Sequence, residues 1–256
     1  MARPLSRKIL HGLEEPIFER LPQSVIANFD RPRSENALLW NCFYPRGTPG
    51  LDWRKLASLR PCWGTALDAS READDLLKPY FWGYDVSGSR LTHLDEVLMA
   101  VDGPGPKTEV DLFLMGRSKL IVVEAKHTAG LGRCSRYQAG RCPEIHASPS
   151  AEDDPCRYWL PGAGEMSAEL DFGARPVPGD EAPACSLHYQ LARTLLVGKE
   201  LARRHKLEFH LWLILPRRSW RGYQAAWLDF ARRVQSEAIW RRMRVLAWEA
   251  IQSYSA

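Results

Sequence analysis

The sequence predicts an α/β fold with a central mixed sheet flanked by helices, and two stretches carry that expectation. Residues 108–126, TEVDLFLMGRSKLIVVEAK, hold two apolar runs, 110–115 and 120–123, around the polar break Gly116-Arg117-Ser118. That pattern suits an antiparallel hairpin. Further on, an amphipathic stretch at 185–204 leads into the apolar run EFHLWLIL at 208–215, stopped by Pro216. A helix followed by a strand, after a hairpin, is the order of a parallel crossover.

The other elements follow in chain order. Residues 9–20 suit a short amphipathic helix broken at Pro16. After the turn 29–33, Ser34 reads as an N-cap and Glu35 as a first-turn acid, with Ala37-Leu38-Leu39-Trp40 continuing the helix. Residues 45–49 are a loop, 51–59 a helix, and 66–77 a further helix with acids at Glu72, Asp74 and Asp75. Residues 91–101 fit two periods: Leu94, Val97, Leu98 and Val101 suit a helix, while Thr92, Leu94, Glu96, Leu98 and Ala100 alternate as in a strand. Asp102-Gly103-Pro104-Gly105-Pro106 turns the chain into the hairpin. In the 185–204 helix, Leu187, Leu191, Thr194, Leu195, Gly198 and Leu201 share one side. Residues 220–242 predict one long helix with apolar Trp227, Phe230, Val234, Ile239 and Trp240, and 245–248 a last short strand before a terminal helical turn.

At 256 residues, 45% hydrophobic and 26% charged, the composition is that of a single globular domain. No run approaches the ~18 apolar residues of a membrane span, so no membrane partner is expected. The N-terminus lacks an apolar signal region, and a cytoplasmic location is expected. Charge is unevenly spread. Residues 201–256 carry eleven Lys/Arg against four acids, a net of +7, and residues 147–184 carry two Arg against eight acids, a net of −6. A basic C-terminal third suits a phosphate backbone, or simply a solvated helix face.

Three charged residues stand inside or at the end of the apolar hairpin. Glu124 and Lys126, two apart, share a face in a strand, and hairpin pairing can bring Asp111 beside them. Buried acids and a lysine need partners, and a divalent cation would be one. No P-loop and no GxSxG motif competes with this reading. A strand-end Glu–Lys salt bridge beside an unrelated acid is the bland alternative.

Asp111 followed by Glu124-Ala125-Lys126 on a second strand resembles the PD-(D/E)XK signature of restriction-endonuclease-like nucleases, and in particular an uncharacterised bacterial group with cysteines after the ExK motif. The segment 34–41 resembles the first helix of such nucleases, and Leu187-His188-Tyr189-Gln190-Leu191-Ala192-Arg193 the helix after the ExK strand. Glu109-Val110 stands where the signature has its proline, a position that varies widely. The resemblance implies an αβββαβ core, and it tips 91–101 toward a strand. It also implies Mg²⁺- or Mn²⁺-dependent hydrolysis of DNA, with the metal held by Asp111, Glu124 and the Ala125 carbonyl. Lys126 would orient or deprotonate the attacking water or steady the phosphate, with its pKa lowered by the nearby cation and partial burial. Glu35 and Gln190 join as further site residues, although Glu35 equally serves its helix start and Gln190 equally suits a helix surface. Glu96 is either a site acid or exposed. Alanine at Asp111, Glu124 or Lys126 is expected to abolish cleavage and leave the fold intact. Double-strand cutters of this kind are often homodimers.

The segment 127–184 is rich in Gly, Pro, Ser and charge, and unusually long for a structureless insertion. Cys134, Cys142, Cys156 and Cys185 fall in it or at its end, leaving Cys42 and Cys62 elsewhere. Four thiols in a core-poor segment can hold zinc or an iron–sulfur cluster, with His127, His146 or His188 as possible substitutes. The spacing lacks a tight C-x2-C pair, and unliganded thiols are the alternative. A catalytically silent nucleic-acid-binding or interaction module with a structural Cys–metal site is the competing function. Exonuclease or RNA-cleaving activity is a third.

Overall fold

The computed structural model describes residues 8–65, 67, 76–146 and 155–255. A 3-10 turn at Pro16–Glu19 leads into α1 (Gln23–Phe29) and α2 (Glu35–Phe43). Ser34 caps α2 as expected, its Oγ accepting from the Ala37 N–H at 3.0 Å. The expected helix at 51–59 is β1 (Leu51–Asp52) followed by α3 (Trp53–Ser58), with the Asp52 carboxylate accepting from Arg54 N–H at 2.8 Å. Next come β2 (Leu76–Phe81), α4 (Leu94–Asp102), β3 (Leu112–Met115) and β4 (Lys119–Ala125). The long segment contributes α5 (Ser135–Gln138) and 3-10 turns at Arg157–Trp159 and Met166–Ala168. Then follow α6 (Ala184–Leu187), α7 (Tyr189–His205), β5 (Glu208–Leu215), α8 (Trp220–Arg233), α9 (Glu237–Arg241), β6 (Met243–Ala247) and α10 (Trp248–Ser255).

The six strands lie side by side in chain order, antiparallel from β1 to β4 and parallel from β4 to β6. The fold is therefore α/β with a mixed sheet. The hairpin closes through Gly116–Ser118, setting Met115 opposite Leu120 and Leu112 opposite Val123. β4 is buried along its whole length because it has strands on both sides and helices on both faces. Phe113, Leu120, Val122, Leu211 and Leu213 pack with Val97, Leu195, Trp227 and Phe230 on one face. Leu112, Ile121, Val123, Trp212 and Ile214 pack with Phe29, Trp40, Leu56 and Ile251 on the other. The period of two along each strand decides which face a residue joins.

Two expectations fail for identifiable reasons. Residues 91–101 do not form a strand: Leu94, Val97, Leu98 and Val101 are buried while Asp95, Glu96 and Met99 are exposed, the 3.6-residue period. Acids in the first turn and Gly103 at φ +71 after the last fix both ends of this helix. The strand before the hairpin is β2, disguised by Pro79. β1 pairs only with Leu76 and Leu77, so Pro79 faces no partner there and its missing N–H costs nothing. The helix expected at 66–77 lies outside the described residues except for 67, 76 and 77, the last two opening β2. Finally, the long helix at 220–242 is two. Arg233 and Gln235 bond the backbone of Asp171 and Glu169, and Ser236 caps α9 by accepting from Ile239 N–H.

α7 lies close against the sheet because of Gly198. A Cβ there would stand 2.4 Å from a Phe209 ring carbon and 2.7 Å from a Val122 methyl. This contact sets the height at which the N-terminal half of α7 crosses the end of β4.

Candidate functional site

The register, continued one residue past Leu112–Val123, sets Asp111 opposite Glu124. Regular pairing stops there, and the Asp111 side chain takes over: its Oδ2 accepts from the Ala125 N–H at 2.8 Å. Its own carbonyl accepts from Trp82 N–H at 3.1 Å. Glu124 is fully buried and Lys126 is 6% exposed. They pair at 2.7 Å, Lys126 Nζ donating to Glu124 Oε1. The Lys126 backbone is pinned on both sides, N–H to the Ile214 carbonyl at 2.7 Å and carbonyl to the Trp248 indole at 2.8 Å.

α7 supplies the next two contacts. Gln190 Nε2 donates to Glu124 Oε1, while Gln190 Oε1 accepts from Gly132 N–H at 2.7 Å, so this one amide ties the 127–184 segment to the site. Thr194 Oγ1 donates to Glu124 Oε2 at 3.2 Å. Glu35 arrives from the start of α2, and its Oε2 accepts from the His127 N–H at 2.5 Å. All five expected site side chains, Glu35, Asp111, Glu124, Lys126 and Gln190, therefore meet at the end of β4.

The electrostatics follow from three acids facing one lysine, a formal −2. Burial, together with Glu124 and Glu35, pushes the Asp111 carboxyl well above its ordinary value, against the pull of Lys126 and the Ala125 N–H. Burial also raises Glu35, although Lys126 and the His127 N–H oppose it. Burial alone would lower Lys126, but Glu124, Asp111 and Glu35 outweigh it and hold the ammonium above the usual lysine range. Lys126 is thus the cation that faces these three acids. Because Glu124 and Lys126 are a buried pair, alanine at either one is expected to cost stability as well as any activity.

Beside the site runs a cleft of about 300 Å³ lined by Lys107, Thr108, Glu109, Asp111, Gly132, Arg133, Tyr189, Gln190 and Arg193. Its far wall is held by Asp102, which accepts from Thr108 Oγ1 at 3.0 Å and Tyr158 at 2.8 Å and pairs with Arg193 at 3.0 Å. That clamp fixes the chain just before Asp111. Exposed Lys107 and Arg133 line the cleft, and Arg33 and Arg218 lie near enough to His127 to lower its pKa, after burial.

Several residues of the site were not anticipated. Thr194 appeared only as a member of the apolar stripe, and a hydroxyl inside such a stripe was the available signal. Tyr223, which donates to the Ala129 carbonyl and feels Lys126 and Glu35, carries no local sequence signature. Glu96 is exposed and pairs with Arg204 on α7, away from the site.

The four cysteines after Lys126 come together elsewhere. Cys134, Cys142, Cys156 and Cys185 line one cavity with Tyr137, Tyr158, Trp159, Met166 and Tyr189. Burial pushes the Cys156 thiol up to about 12 and Cys185 up to about 11. Of the histidines weighed as substitutes, His188 pairs with Asp229 at 2.6 Å, and the His146 ring accepts from the Cys142 N–H at 3.0 Å. Among the described residues, no three His, Cys, Asp or Glu side chains are placed to hold one metal ion between them. Among the same residues, no helix is long and apolar enough to cross a membrane.

Comparison with family models, with curated proteins and with solved structures finds no match to this chain.

Proposed function

We propose that this protein is a Mg²⁺-dependent nuclease that hydrolyses phosphodiester bonds in DNA, with a restriction-endonuclease-like core. The observation that carries the proposal is the meeting of Asp111, Glu124, Lys126, Glu35 and Gln190 at one strand end, beside an open cleft, with three carboxyl groups around one lysine. The order of α2, then antiparallel β2–β4, then α7, then parallel β5 supports the αβββαβ reading.

The residues fit a hard divalent cation. Such ions take oxygen ligands and keep several waters, so two carboxylates and a backbone carbonyl suffice. Asp111 and Glu124, with the Ala125 carbonyl, would hold Mg²⁺ or Mn²⁺. When bound, the ion would neutralise charge on the phosphate and supply an acidified water. The protein's own groups do the rest. Lys126 holds a proton on Nζ, paired to Glu124, and can donate it to a phosphate oxygen or position a water. Gln190 and Thr194 fix the rotamer of Glu124. Glu35 holds the backbone at His127 and adds to the negative field. Lys107, Arg133, Arg33 and Arg218 offer positive charge to a nucleic-acid backbone on either side.

A second reading has its own observation. Both oxygens of Glu124 are already satisfied, by Lys126, Gln190 and Thr194. A site so complete without metal suits a catalytically silent nucleic-acid-binding module. Incubating DNA with the parent and with an Asp111→Ala/Glu124→Ala/Lys126→Ala variant, with Mg²⁺ or EDTA, separates the two. Cleavage only by the parent in Mg²⁺ supports the nuclease. Binding without cleavage under every condition supports the module, and equal cleavage by the variant removes the proposed site. Gel filtration tests for a homodimer, as a cut in both strands calls for two such sites.

A further inference from the structure

Four of the six cysteines surround one cavity, although they come from four separate places along the chain. Cys134 precedes α5, Cys142 follows it, Cys156 opens the turn at Arg157–Trp159, and Cys185 lies in α6. Backbone groups of three of them make specific hydrogen bonds. Cys134 N–H donates to the Ser186 carbonyl at 3.0 Å, which brings the first and last cysteines together across fifty residues of chain. Cys156 N–H donates to Glu144 at 3.1 Å, and Glu144 is held in turn by Arg175 at 2.5 Å. The Cys142 carbonyl accepts from His146 N–H at 2.8 Å. The rest of the wall is aromatic and apolar: Tyr137, Tyr158, Trp159, Met166 and Tyr189.

Buried thiols can serve as small hydrophobic groups, but that role does not call for four to converge. The segment they come from has one short helix and two 3-10 turns in its described part. Ordering so long a segment costs on the order of 1 kcal/mol per residue in backbone entropy, offset in part by burial of Ile145, Tyr158, Met166, Leu170 and Phe172. A shared ligand between four thiolates would tie all its parts to α6 and α7. Cys134, Cys142, Cys156 and Cys185 form no disulfide, so none does this work.

The spread of the thiols bears on which ligand. A zinc ion at ~2.3 Å from each sulfur needs the sulfurs ~3.8 Å apart. No three of these cysteines are placed to hold one metal ion between them. They ring a cavity instead, as the corners of a polynuclear centre require. We propose that Cys134, Cys142, Cys156 and Cys185 ligate an iron–sulfur cluster. Each thiol gives up its proton to solvent as it binds iron. Because Tyr189 lines this cavity and Gln190 beside it bonds both Gly132 and Glu124, the cluster also fixes the approach of the 127–184 segment to the candidate site.

This inference does not depend on the nuclease reading, and its test is read without any cleavage assay. The full chain is purified without oxygen, or reconstituted with ferrous iron and sulfide, and its iron, zinc and acid-labile sulfide are measured beside an absorption spectrum. The expected result is equal iron and sulfide, about two to four of each per chain, with a broad band near ~400 nm. Serine at Cys134, Cys142, Cys156 or Cys185 should each remove at least half of the iron, while Cys62→Ser keeps all of it. Removing the cluster should also speed tryptic cutting within 127–184. One zinc per chain without iron, or no stoichiometric metal, overturns the proposal. So does full iron retention in the four serine variants. Where a serine variant is insoluble, the iron and sulfide content of the parent decides alone.

Discussion

Replacing Lys126 by Met keeps most of the side-chain volume and removes the ammonium paired with Glu124. Glu124 is fully exposure-free and Lys126 is 6% exposed, so the variant leaves an unpaired carboxylate in a dry site. Breaking one side of a buried pair costs about 3–5 kcal/mol. The hydrogen bonds from Gln190 and Thr194 survive, which places the loss near the lower figure, about 3 kcal/mol. For a chain of this length that corresponds to a fall in Tm of roughly 6–12 °C. The double variant Glu124→Gln/Lys126→Met removes both charges and should return to within ~1 kcal/mol of the parent, since a neutral pair of similar volume avoids the desolvation cost. Urea melts in EDTA measure both. Added Mg²⁺ then separates function from stability. A ligand at one hundred times its Kd stabilises by about 2.7 kcal/mol, and this gain should appear in the parent and be absent from the double variant. A Lys126→Met protein that melts within ~0.5 kcal/mol of the parent in EDTA would refute the sealed pair on which the reasoning rests.

Other predictions follow from single features. Gly198→Leu forces a side chain into Phe209 and Val122; it should cost at least ~1–3 kcal/mol by thermal melt and weaken Mg²⁺ binding by lifting Gln190 and Thr194 from Glu124. Acid should destabilise the fold from near pH 6.5 downward. Burial lowers the pKa of His188 and of His210, despite their partners Asp229 and Glu208, so the unfolded chain takes up these protons first and stability is lost as pH falls through the lowered values. Urea midpoints at pH 7.5 and below pH 6 check this, and an unchanged midpoint contradicts it. Arg133→Ala or Arg218→Ala should weaken DNA binding and reduce its logarithmic salt slope by about 1 each, measured by fluorescence anisotropy across a salt series.

The legible part of this molecule was the part in which chemistry and periodicity agreed. The 110–115 and 120–123 runs, the Gly116–Ser118 break and the EFHLWLIL strand are apolar because they are central, and a central strand has no other way to read. Asp111, Glu124 and Lys126 stood out because charge does not belong in such a setting. Elsewhere one cue masked another. Pro79 hid a strand whose outer neighbour is only two residues long. The alternation of Thr92, Leu94 and Glu96 competed with a helical period that Asp95, Glu96 and Gly103 settle once the ends are considered. The break after Arg233 depends on the 169–171 backbone, sixty residues away, and no local residue announces it. The meeting of four cysteines is likewise a tertiary fact: their spacing has no tight pair, and the bonds that gather them come from Ser186, Glu144 and Arg175.

The central claim is that Asp111 and Glu124 hold one divalent cation at the end of β4. Manganese binding followed by electron paramagnetic resonance addresses it without reference to substrate. The account predicts about one Mn²⁺ per chain, displaced by excess Mg²⁺, and lost in Asp111→Asn while the circular dichroism spectrum stays that of the parent. A folded Asp111→Asn protein that binds Mn²⁺ as tightly as the parent would contradict it.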